Sequence, residues 1–90
     1  MSGPRVEVDF NKWGVSHGFG RVHLPEPEVE RLRAERVNVR PGMVVRAVDH
    51  DLDEENRPCW LEVDAVVGWD DERGWYGDYE QRTMEWLPKP

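Results

Sequence analysis

The side chains able to do chemistry are one cysteine, three histidines, a run of spaced aspartates, a set of arginines and a group of aromatics. Asp49-x-Asp51-x-Asp53 has the spacing of the first three ligands of a calcium-binding loop, with Glu54, Glu55 or Asn56 placed to assist. The sixth loop position holds Glu54 where glycine makes the turn. The twelfth holds Trp60 where a bidentate glutamate closes the shell. The aspartates therefore read as a solvated acidic hairpin loop that keeps a strand edge soluble, and no metal or other cofactor is expected. His17, His23 and His50 lack the short pairwise spacing of a local zinc site and read as polar surface residues. Cys59 falls on an apolar strand face, where a free thiol behaves as a small hydrophobe. One cysteine can neither close an internal disulfide nor anchor a cysteine-based zinc site. No Gly-x-Ser-x-Gly turn, phosphate-binding glycine loop or paired-carboxylate cleft is visible. A domain this small also offers little pocket volume, so no enzymatic activity is expected.

The aromatics and the charges are more informative. Trp60, Trp75, Tyr76 and Tyr79 are expected to include outward-facing members, and Glu62, Asp64 and Asp78 would ring them with carboxylates. Interfaces favour Trp and Tyr as anchors, and an acidic rim suits a basic or proline-rich peptide. The partner-binding set is therefore Trp60, Glu62, Asp64, Trp75, Tyr76 and Tyr79. Trp69 and Trp86 are expected in the core. The alternative is a nucleic-acid-binding face built from Arg31, Arg33, Arg36 and Arg40, with Arg46 and Arg21 nearby and aromatics stacking on bases. The net charge of −7 has the wrong sign for that reading. It is also unevenly spread. Residues 1–45 hold seven basic and six acidic side chains, a net of +1, and residues 46–90 hold five and thirteen, a net of −8. A third reading follows: an acidic mimic that inhibits a nucleic-acid-binding protein by docking on its basic surface.

The elements that must position these residues centre on Cys59–Trp69. Cys59, Leu61, Val63, Ala65, Val67 and Trp69 share one parity, and a side-chain period of two puts them on one face of a strand. Val6, Val8 and Phe10 alternate in the same way in a first strand over 5–10. Asn11–Gly14 reads as a turn and 19–24 as a second strand, with Gly20 leaving room for a neighbouring indole or a bulge. Pro27 suits the first turn of a short helix or helical turn over 28–36, which carries Val29, Leu32 and Arg36 on one face. Pro41-Gly42 turns the chain into a third strand over 43–50. A long acidic connection over 49–58 follows, then the central strand. Asp70–Gly74 reads as a hairpin loop, 75–79 as its partner strand, and 83–87 as a last strand that Pro88 ends.

The chain is thus mainly β, with five to six short antiparallel strands. Val6-Glu7-Val8-Asp9-Phe10 is similar to the first-strand Ala-Leu-Tyr-Asp-Phe of SH3 domains, and Pro41-Gly42-Met43-Val44-Val45 is similar to one of their strand starts. The resemblance implies a small SH3-like barrel topology, without membership of the peptide-binding family. A five-stranded OB-like barrel fits nearly as well. Ninety residues make one domain over 1–90, with flexible ends at 1–4 and 88–90. The low cysteine count and the lack of a membrane-length apolar run or signal-peptide core lead us to expect a soluble, cytoplasmic chain. The sequence-level expectation for function is a non-enzymatic interaction module.

Overall fold

A computed structural model describes residues 3–89 and places seven strands and one helix along the chain. The central element is β5 (Pro58–Asp70), whose edges serve three other strands. β4 (Val44–Leu52) pairs with it from Pro58 to Val66. On its other edge β7 (Glu85–Pro88) takes Cys59–Glu62 and β6 (Gly74–Glu80) takes Val66–Asp70. The expected alternation holds over most of this strand: Cys59, Leu61, Val63, Ala65 and Val67 are all buried. Trp69 is the exception. It lies past the core, 49 % exposed, packed edge-on against its cross-strand neighbour Trp75.

The remaining strands complete one mixed sheet in the order β1-β4-β5-β6-β3-β2, where β1 is Arg5–Glu7, β2 is Trp13–Ser16 and β3 is Phe19–His23. The sheet is not closed, since β1 and β2 are its ends, so the strands do not complete the expected SH3-like or OB-like barrel. Nor is the sheet wholly antiparallel. β1 runs parallel to β4, with Val6 opposite Ala47. A parallel pair needs a long crossover, and β2, β3 and α1 (Glu26–Ala34) supply it.

Two local results differ from the sequence reading. Asn11–Gly14 is not simply a turn, because Trp13 and Gly14 begin β2. The reversal comes later, at His17-Gly18, where both residues have positive φ (55° and 80°) as a type I′ hairpin requires. The helix also starts and stops two residues early, at Glu26 and Ala34. Its end forms a Schellman motif: the Val37 amide donates to the Leu32 carbonyl at 2.8 Å and the Arg36 amide to the Arg33 carbonyl at 3.0 Å. Arg36 takes the left-handed position at φ 65° and so leaves the helix face. Val29 and Leu32 are the buried residues of the helix.

The main core is built largely from valines of β1, β3, β4 and β5, together with Leu24, Val29 and Leu32. Tyr79 is its one deeply buried aromatic, packed edge-on against Phe10 at 5.5 Å. Gly20 faces it across the β3–β6 pair, and a methyl group there would overlap the Tyr79 ring. The expected glycine-for-ring exchange is therefore present, with a tyrosine in place of an indole. Trp86, expected in the core, sits on the edge strand β7 and is 55 % exposed.

Candidate functional site

The sheet face opposite the core, across β2, β3 and β6, gathers the most concentrated set of aromatics and cations. β3 presents Phe19, Arg21 and His23, which pair in register with Glu80, Asp78 and Tyr76 of β6. Alternation dictates this: Gly20, Val22 and Leu24 take the buried face, so their odd-numbered neighbours take the other. Phe19 is 61 % exposed. The Arg21 guanidinium grips Asp78 with two bonds, Nε at 2.6 Å and Nη2 at 2.9 Å. It lies 3.9 Å from the centre of the Tyr76 ring and 5.5 Å from that of Trp13. The hydrogen bond to Asp78 pushes the Arg21 pKa up, so its charge is fixed.

Trp13 closes the group. Its register partner Val22 points into the core, yet its indole stacks 5.6 Å from Tyr76. The backbone accounts for this. Trp13 has φ 108°, outside the regions favoured for a bulky L-residue, at a cost of order 1–3 kcal/mol. The Arg73 guanidinium, from the β5–β6 turn, lies 4.8 Å from the same indole. Gly68 of β5 lies under Tyr76, where a methyl group would overlap the ring. Residues 10–25 contain no aspartate or glutamate, although nineteen of the ninety residues are acidic. That gap is the sequence signal that marks this surface, and Trp13 and Phe19 are the members it would have added to the sequence reading; Arg73, next to Asp70, Asp71 and Glu72, carries no such signal.

The structure does not assemble the expected partner-binding set on one surface. Trp60 and Trp75 fall on opposite faces of the sheet: Trp60 has the even parity of β5, and Trp75 lies opposite Trp69, which has the odd one. Trp60 is covered by basic groups: Lys89 Nζ at 4.4 Å, the His50 ring at 4.5 Å and Arg5 at 5.3 Å from its ring centres. Glu62 is only 5 % exposed and accepts from Arg5 (2.9 Å) and Arg46 (3.1 Å). Arg46 also binds Asp64 at 3.2 Å and Glu85. The carboxylates meant as a rim are thus neutralised within the fold. Tyr79 is core. Tyr76 joins the aromatic–cation face described above and Asp64 lies at its edge beside Phe19 and Asp78, while Trp75 packs against the core and under Arg33, 5.9 Å away.

The arginine set is likewise divided. Arg31 is held by Glu28 at 3.1 Å and Glu35 at 2.8 Å, Arg36 caps the helix, and Arg40 lies in the loop before β4. Among the aspartates, Asp49 accepts from the Phe10 amide, Asp51 from the Leu52 amide, and Asp53 from the amides of Glu55 and Arg57. The Arg57 amide leads the contacts that lower the Asp53 pKa. Among the described residues no group of three or more His, Cys, Asp or Glu is placed to hold a metal ion. Cys59 is buried; burial first, then Asp51 and Asp53, push its thiol pKa up, the wrong direction for a nucleophile. No helix among the described residues is long and apolar enough to cross a membrane.

Comparisons with protein-family models, with curated proteins and with solved structures each find no match to this chain.

Proposed function

We propose that the chain is a non-enzymatic binding module that holds single-stranded nucleic acid on the β2–β3–β6 face. The observation that carries this reading is the grouping of Trp13, Phe19 and Arg21, on a β2–β3 hairpin without carboxylates, with Tyr76 of β6 and Arg73 of the β5–β6 turn. Bases stack on aromatic rings regardless of sequence, for about 1–3 kcal/mol each, while cations track the phosphates. Phe19 supplies open stacking surface, with Trp13 flanked by Arg73 and Arg21; Arg73 and the exposed Lys12, next to Trp13 in the chain, supply charge, and Arg21 adds one shared with Asp78. Duplex DNA buries its base faces, so an unpaired strand is the form these rings can read. The net charge of −7 opposes a polyanion, and Asp78 and Glu80 of β6 lie opposite Arg21 and Phe19 beside this face. Binding should therefore be modest and sensitive to salt.

The test is fluorescence anisotropy of a labelled twelve-residue oligothymidine across a salt series. About three phosphate contacts predict a log–log salt slope near −2 for a single strand. Trp13→Ala and Phe19→Ala should each weaken binding roughly tenfold, which corresponds to 1.4 kcal/mol. Arg33→Ala should change it little. Binding that ignores both aromatic variants, or that follows Arg33 instead, would overturn the placement.

The expectation of a basic protein or peptide partner loses its geometry at Trp60, Glu62 and Asp64, because the arginines there already occupy the carboxylates. It is supported at a different surface.

A further inference from the structure

At the far end of β5, the β4–β5 turn and β7 enclose a depression of about 590 Å³. Leu52 and Trp86 form its apolar part and are 52 % and 55 % exposed. Asp53, Glu54, Glu55 and Arg57 wall it. The one cation is already used, since Arg57 bridges to Asp53 and Glu55, each at 3.1 Å. Three carboxylates thus face the space against a single guanidinium. Glu54 has no ion-pair partner among the described residues.

The backbone beside it is open as well. β7 pairs with β5 on one edge only. The bond from the Lys89 amide to the Pro58 carbonyl, 3.4 Å, sets the phase of that pairing. Residues 89, 87 and 85 then aim their backbone groups at β5, and Trp86 aims its N–H and C=O away. Pro88 also falls on the outward phase, where its missing N–H removes nothing from the ladder. An extended chain laid along β7 would find one donor, one acceptor and the Trp86 indole within a residue of each other.

We infer that this depression docks an extended segment of a partner protein whose apolar and basic residues lie two apart and so share one face. The apolar side chains would rest on Trp86 and Leu52, and a lysine or arginine would meet Glu54, while Glu55 and Asp53, bridged by Arg57, add to the negative potential. Charge complementarity selects this occupant. A second copy of the chain carries −7 and would bring acid against acid over most of its surface. The site is also separate from the nucleic-acid face. Trp86 lies opposite Leu61 of β5, whereas Trp13 is aligned through Val22 and Gly77 with Val67. At about 3.3 Å per strand residue the two indoles are on the order of 20 Å apart along β5. The proposal does not depend on the nucleic-acid reading, and it makes the chain bipolar.

The probe is a fluorescein-labelled peptide repeating Leu-Ser-Lys-Ser, which puts leucine and lysine on one face of an extended chain, with a peptide carrying glutamate in place of lysine as the control. Each is titrated into the full chain by anisotropy, and the five indole N–H signals are followed by NMR. The lysine peptide should bind at least tenfold more tightly than the control and shift the Trp86 signal while leaving that of Trp13 in place. Trp86→Ala should weaken binding at least fivefold, Trp86→Phe should restore most of it, and Glu54→Arg should weaken it at least threefold. Glu54 lies in an exposed turn, so that variant tests the site even if Trp86→Ala disturbs β7. Saturating oligothymidine should not displace the peptide. Equal binding of the two peptides, no binding, a shift at Trp13 in place of Trp86, or displacement by the oligonucleotide would each overturn the inference. So would salt-sensitive self-association of the chain through this surface, seen by size exclusion.

Discussion

Arg46→Met is the most informative single perturbation of the fold. The Arg46 side chain is 13 % exposed and contacts three carboxylates: Glu62, 6 % exposed, and the half-exposed Asp64 and Glu85. Removing one partner of a buried ion pair costs about 3–5 kcal/mol, because the other charge stays buried without compensation. Arg5 remains beside Glu62 and is half exposed, which points to the lower end, about 3 kcal/mol. The exposed pairs add about 0–1 kcal/mol each. A domain of this size has a total stability of about 5–13 kcal/mol. The variant should therefore lose a large fraction of it and melt roughly 12–24 °C lower. Thermal and urea denaturation followed by circular dichroism would measure this at pH 7. The double variant Arg46→Met, Glu62→Met should recover part of the loss, since two apolar side chains replace the buried pair. Acid pH supplies an independent readout. Burial alone would raise the Glu62 carboxyl, but hydrogen bonds from Arg5 and Arg46 outweigh it and hold the group below the usual carboxylate range. A lowered folded-state value means that its stabilisation is present above the unfolded value, near 4.3, and is lost as pH falls through the folded value. Wild type should thus lose more stability than Glu62→Gln between pH 5 and pH 3. A cost below 1 kcal/mol for Arg46→Met, or a double variant no more stable than the single, would refute the reasoning.

Two further outcomes follow from the backbone. Gly20→Ala should destabilise by about 1–3 kcal/mol, because its methyl group must displace the Tyr79 ring from the core, and urea unfolding would show it. Arg36→Gly should stabilise by about 0.5–1 kcal/mol, since glycine adopts the left-handed end of the Schellman motif without the steric penalty that arginine bears there. A melting temperature unchanged or lowered in Arg36→Gly would contradict that account.

The sequence by itself determined the element types and the buried face of the central strand. Period-two alternation in 59–67 leaves only one face that can hide Cys59, Leu61, Val63, Ala65 and Val67, and the acidic turns at 53–57 and 70–73 could lie nowhere but on the surface. It also carried the charge imbalance and the carboxylate-free stretch from 10 to 25. The parallel β1–β4 pair, the open sheet and the choice of aromatics left outside were decided by tertiary contacts. Trp69 and Trp86 obey the right parity and still face solvent, because one overruns the core and the other sits on an edge strand. Glu62 reads as a surface acid until Arg5 and Arg46 arrive from strands 57 and 16 residues away to permit its burial. Trp13 shows the same limit in the backbone: its indole reaches the Arg21–Tyr76 stack only through a strained φ that no local pattern announces. Local propensity sets what each segment can be; only the meeting of distant strands sets which faces stay free to bind.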